Sequence, residues 1–269
     1  MSWIHGCHAS LLHRLLLVAA LLLAPPLHAQ AEVDLRGISL TLARSGIIAD
    51  ATRAQALYVR HLEALEVPDD GDRHLTIAIR SAFAANALRE RWVRLLAETL
   101  DPETLLAAAD FYGSVPGEAL AARLRQTARS LDEAERARFA AGFEGNDDAR
   151  LLAGAVQGTL REQALVQITR GAAAWTAAMI ADAETGTDPL PWLADAEGAA
   201  SPPVRVDEAL AWQDAEALYV QGLIEFGQSE AGLRFHRACA LTLERALADT
   251  VRAHAGTLIT AIARRRASL

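Results

Sequence analysis

The sequence contains no lysine; every basic side chain is arginine or histidine. That excludes Schiff-base catalysis and any phosphate loop that depends on a lysine. Cysteines are two, Cys7 and Cys239, and aromatic residues make up only 5% of the chain. No segment sustains the alternation of apolar and polar residues that marks a half-buried strand. Without a strand there is no strand–turn–helix junction on which a phosphate loop or a nucleophile elbow could sit. Basic charge is also short: the formal balance is −8, which argues against nucleic acid as a partner, because binding it requires cations to displace counterions. The run Arg264-Arg265-Arg266 is explained by cations complementing the negative end of a helix dipole.

What the sequence does contain begins with the features of an export signal. His5, His8, His13 and Arg14 form a polar, partly basic start, and Leu15 to Ala24 (LLLVAALLLA) is an apolar run closed by Pro25-Pro26. Ala29-Gln30-Ala31 then supplies a small-x-small cleavage pattern, so residues 1–31 read as a signal peptide cut after Ala31. The apolar run is about half the ~20 residues a spanning helix needs, and retention as an anchor is the lesser alternative. Cys7 precedes the run and cannot be a lipid-modified cysteine that follows one. The expectation is a periplasmic or secreted protein with no integral membrane segment after cleavage. The mature chain would keep one cysteine, Cys239, and so no internal disulfide in spite of an oxidising compartment.

Hydrophobic residues are 52% of the chain, but many are alanine, which favours helix and buries little area. A core of closely spaced helices follows. Leu57, Tyr58, His61, Leu62 and Leu65 mark one helical stripe. Leu75, Ile79, Phe83, Leu88, Trp92, Leu95 and Leu96 continue it after a turn at Pro68-Asp69-Asp70-Gly71. Asp101-Pro102-Glu103 is a helix start, with Asp as N-cap and Pro at the first helical position. Residues 185–205, with four prolines and two glycines, read as a connecting loop, pinned to the body by Trp192 and Leu193. They divide an N-terminal helical half, 32–184, from a C-terminal half, 206–269, of the same globular domain.

The two halves share a motif. Phe111, Ser114 and Gly117 reappear as Phe226, Ser229 and Gly232, each shifted by 115 residues. Phe143, Asn146 and Ala149 form a weaker copy. In each, a helix ends in Phe, a capping residue follows three positions on, and a small residue follows three beyond that. The pattern predicts a repeated helix corner in which Phe anchors the outgoing helix, Ser114 caps the amide of Gly117, and the glycine allows close packing.

The block from Leu100 to Leu124, LDPETLLAAADFYGSVPGEALAARL, resembles a family of exported bacterial proteins known as domain of unknown function 2059. That family combines an acidic helix start with a Phe-Tyr-x-Ser-Pro-x-Gly corner. The block from Leu218 to Leu247 is similar to the Phe-x-x-Ser-x-x-Gly segment near the end of such chains. Here Val115 follows the serine and Pro116 comes one place late, while Glu230 fills the matching position of the second corner. The resemblance implies an all-helical exported protein. It implies no catalytic residue, cofactor or ligand.

Each candidate for chemistry has a structural reading that outweighs it. Gly227-Gln228-Ser229-Glu230-Ala231 nearly matches a nucleophile elbow, but the residues before Ser229 read as helix. His236 and Cys239, at i and i+3, share a helix face, yet zinc needs three or four ligands. His236 reads as a half-buried helix residue on the stripe Leu233, His236, Ala240, Leu243, Leu247, and Cys239 as a small buried apolar residue. Asp69-Asp70-Gly71-Asp72 lacks the alternating spacing of a calcium loop and reads as a charged turn. Asn146-Asp147-Asp148 reads as a helix cap with acids over the dipole. No catalytic, cofactor-binding or metal residues are assigned.

The expectation is an all-α bundle of helical hairpins, its two distantly related halves packed as one globular domain. The function expected is that of a non-enzymatic envelope protein acting through helix faces on a protein partner or on itself. The alternative is a carrier of an apolar small molecule or lipid between helices. Leu151, Leu152, Val156 and Leu160 would line its cavity on one side, and Leu243, Leu247, Leu258, Ile259 and Ile262 on the other. A third class, a hydrolase, requires Ser229 or His236 to converge with acids in a cleft.

Overall fold

A computed structural model describes residues 27–65, 72–130, 158–181 and 215–268. The apolar run before Pro25, the Asp69-Asp70-Gly71 turn, the Phe143-Asn146-Ala149 corner with Asp147 and Asp148, and the 185–205 loop lie outside the described residues.

Within them every regular element is an α-helix. The helices are α1 (Leu27–Ser45), α2 (Ala49–Ala64), α3 (Arg73–Ser81), α4 (Ala85–Thr99) and α5 (Pro102–Tyr112). They continue with α6 (Val115–Ser130), α7 (Gly158–Ile180), α8 (Ala217–Gln228) and α9 (Glu230–Ser268). Local chemistry sets several boundaries. Gly46 takes a positive φ of 77° between α1 and α2, a conformation that costs other L-residues a steric penalty. Asp72 caps α3 by accepting from the amides of His74 and Leu75 at 2.8 and 3.1 Å. Asp101 caps α5 by accepting from Thr104 N at 2.8 Å, with Pro102 just inside the helix. Hydrogen bonds to the charged form hold both carboxyls below the usual range.

The stripe from Leu75 to Leu96 is interrupted. The chain leaves helix between Ser81 and Ala85, and Phe83 in the break is fully buried, its ring 4.9 Å from that of Tyr58. Helices α3 and α4, on either side of this break, both pack against α9.

Helix α9 is the centre of the fold. At 39 residues it is about 58 Å long, and it packs against α3, α4, α5, α7 and α8. Helix α7 also packs along α2, while α1 lies against α4, α5 and α6. Trp92, fully buried on α4, donates from Nε1 to the Cys239 carbonyl at 3.2 Å and to Thr242 Oγ1 at 3.1 Å. Thr176 Oγ1 donates to Ala172 O, so the buried Tyr58 hydroxyl 2.8 Å away is the donor to Thr176. On α9 the proposed cavity wall is core instead: Leu243, Leu247, Leu258 and Ile262 are buried against the neighbouring helices, and Ile259 is half-buried. Leu160, on the opposing helix, is exposed, and Leu151, Leu152 and Val156 lie outside the described residues. Among the described residues no helix is long and apolar enough to cross a membrane.

Candidate functional site

The two corners face each other. At the first, Ser114 Oγ donates to the Phe111 carbonyl at 2.6 Å and accepts from Gly117 N at 3.3 Å. At the second, Ser229 Oγ donates to the Phe226 carbonyl at 2.6 Å and accepts from Gly232 N at 3.0 Å. Each hydroxyl thus joins the last turn of one helix to the first turn of the next. Both hydroxyls serve as joints between helices.

The glycines let the chain turn so tightly. A Cβ on Gly117 would collide with the Phe111 carbonyl oxygen and lie 2.7 Å from Tyr112 Cα. One on Gly232 would collide with the Phe226 carbonyl oxygen and lie 2.7 Å from its carbonyl carbon. Backbone atoms have no room to yield, so the smallest residue is required.

The corners also pack as a pair. The Phe111 and Phe226 rings stack 4.4 Å apart and 8° from parallel. Helix α5 packs on α9, and α8 packs on α6. Exchanging α5 for α8 and α6 for α9 turns one contact into the other, the relation expected of an approximate two-fold axis through the stacked rings. The symmetry fails at a buried polar pair. Tyr112 and His236, both buried, are hydrogen-bonded hydroxyl to Nε2 at 2.7 Å. The positions related to them are Gly227 and Ala121. The polar pair sits among Phe111, Phe226 and Phe235, and it corrects the half-buried placement expected for His236. Leu233, expected on the same buried stripe, is exposed.

A second polar cluster lies between α2 and α7. Arg161 Nε donates to Asp50 Oδ2 at 3.1 Å with both side chains buried. One residue on, Glu162 accepts two hydrogen bonds from Arg53, at 2.7 and 2.9 Å. The fork-on-fork geometry is the strong form of this ion pair. Burial pushes the nearby Cys239 thiol up to about 12, with the opposed charges of Arg161 and Asp50 acting as smaller effects. A thiol held protonated in this way is a poor nucleophile and a poor metal ligand. Periodicity did not reveal this quartet. Its only sequence trace is that Asp50 and Arg53 fall beside Ala51 and Ala54 on a face the helix buries.

Among the described residues a concave feature lies elsewhere, between α3 and the far end of α9. It is a solvent-open groove of about 550 Å³, within the ~300–1,000 Å³ range of ligand sites. Ala78 and Ala261 are its buried floor, and Ile77, 54% exposed, is its largest apolar wall. Ala253, Gly256, Thr257 and Thr260 of α9 form the opposite wall, with His74 and Arg264 also lining it. Among the described residues no three His, Cys, Asp or Glu side chains gather as metal ligands. No protein-family model, no curated protein and no solved structure matches the chain, so the candidate site rests on its own geometry.

Proposed function

We propose that this protein works by binding rather than by catalysis, as an exported envelope protein whose helices present the contact surface. The observation carrying the reading is the α3–α9 groove, where Ile77 stands open to solvent beside a wall of small residues. Large apolar side chains beside concave surface are where contact residues are expected. The polar groups that a hydrolase reading would call on already have partners within the fold. The Ser114 and Ser229 hydroxyls are engaged as caps, and the His236 ring is bonded to Tyr112 inside the core. Relation to the domain 2059 family rests on the corner residues alone, and export on the segment ending at Ala31.

The occupant proposed first is a protein partner. The same groove favours the second reading, an apolar small molecule held between helices. Replacing Ile77 with a photo-crosslinking amino acid and irradiating expressing cells tests both. A discrete protein adduct supports the first reading and a lipid adduct the second. The same replacement at Glu118, exposed on α6, serves as the control. Equal adducts from both positions, or none from Ile77, would remove the groove as the contact surface.

A further inference from the structure

The groove has a charge polarity along its length. The N-cap of α3, Asp72, feels the charge of Arg265, so the start of α3 lies beside the end of α9. The two helices therefore run antiparallel, and one end of the groove gathers Arg264 and His74, with Arg73 in the same turn of α3. The other end, at Ser81 and Ala253, has no charged lining residue. In a chain of net charge −8, the described residues of this end set Arg73, Arg264 and Arg265 against the single carboxylate of Asp72.

The arginine run divides its labour. Arg266 donates to the Met179 carbonyl at the end of α7, at 2.6 Å. Arg265 acts on Asp72. Arg264 lines the groove, exposed, and among the described residues it has no ion-pair or hydrogen-bond partner. Asp72, at the start of α3, already accepts two amide hydrogen bonds, from His74 and Leu75. The dipole of α3 adds a partial positive charge at the same end.

From this polarity we infer that the groove takes an amphiphile with one anionic headgroup and a single alkyl chain. The head lies between Arg264 and the first turn of α3, and the chain runs along Ile77 and Gly256 toward Ala253. From Arg264 to Ala253 is about 16 Å along α9, a span suited to a medium-length chain. The inference rests on the binding reading above but does not require a protein partner. Gly256 sharpens it. A Cβ placed there meets nothing within 4 Å, so a larger side chain would fill the groove without disturbing the core.

The test uses the purified chain as the cell processes it, with dodecanoate as probe, measured by calorimetry below its micellar concentration. Dodecyltrimethylammonium and dodecyl maltoside test the demand for an anion, and phosphatidylglycerol vesicles test whether a membrane surface is the true source of the headgroup. Dodecanoate should bind, and the cation and the neutral sugar detergent should bind at least about tenfold more weakly, the worth of one charge-assisted hydrogen bond. Arg264→Glu should weaken dodecanoate by a similar factor, and Gly256→Leu should abolish binding, both with the thermal midpoint retained. Equal binding of anion and cation, binding unaffected by Gly256→Leu, or binding to vesicles but not to dodecanoate would overturn the inference. A protein adduct at Ile77 without dodecanoate binding would sink this inference alone and leave the binding reading standing.

Discussion

Two glycine pairs make opposite predictions about the same substitution. Gly117→Ala and Gly232→Ala drive a methyl group into backbone carbonyls and should each destabilise by at least ~1–3 kcal/mol, the usual cost of overpacking. Gly222 and Gly256 lie inside helices with open space around the new Cβ. There alanine should stabilise by roughly 0.5–1 kcal/mol, because glycine is the costlier residue in a helix interior. Ser114→Ala and Ser229→Ala each remove a cap and should cost about 1 kcal/mol. Urea denaturation of the variants measures all of these; a neutral Gly232→Ala would contradict the packing described at the corner. The corner residues were legible in the sequence because capping and close approach are local demands. The ring stack was not, since Phe111 and Phe226 meet only when the chain folds back on itself.

At the scale of elements, the α2–α7 seam depends on charges that face each other out of water. Removing one partner of a buried pair leaves the other charge uncompensated, so Asp50→Asn or Arg161→Met alone should cost about 3–5 kcal/mol. The double replacement should recover part of that loss, because neither charge is then left buried without its partner. A double-mutant cycle by chemical denaturation reads the coupling directly; simple additivity would show that the pair contributes nothing specific. Arg53→Ala should cost less, since Arg53 is 30% exposed and water can resolvate Glu162. Helix existence in this region was legible from the apolar stripe, as were the starts at Asp101 and Ser229. The break at Ala82–Ala84 was not, because the apolar spacing runs on through it to Phe83, which is buried against Tyr58.

At the scale of the whole molecule, buried titrating groups bound the pH range of stability on both sides. Burial holds Cys239 and Tyr58 protonated up to about 12, against ordinary values of 9.0 and 10.0. Above those ordinary values the unfolded chain releases protons that the folded chain keeps. Stability is therefore full below pH 9.0 and falls as pH rises toward about 12, by up to ~1.4 kcal/mol per pH unit per group. On the acid side, burial and neighbouring arginines hold His61 and His254 below 6.5, with Arg170 and Arg60 acting on the first and Arg91 on the second. Here the unfolded chain takes up protons first, so stability is lost as pH falls below 6.5. Urea midpoints across the range should peak between the two limits, and Cys239→Ala should move the onset of the alkaline fall from near 9.0 toward 10.0. A flat profile above pH 9 would contradict the burial of both groups.

The sequence by itself determined that the chain is helical, where several helices start, and that two corners share one design. These follow from interactions within a few residues: capping, periodicity and the room a glycine leaves. Tertiary structure alone decided that the corners stack on each other, that His236 meets Tyr112 in the core, and that opposite charges line the α2–α7 seam. It also decided that Arg264 opens onto a groove beside Ile77. Each of these joins residues far apart in the chain, and no local pattern encodes which helix faces which. The α9 stripe shows the difference most clearly: its spacing announces a buried face, but only the packed neighbours decide between a solid core and a cavity wall. They chose the core, and left a groove open beside α3 on the same helix.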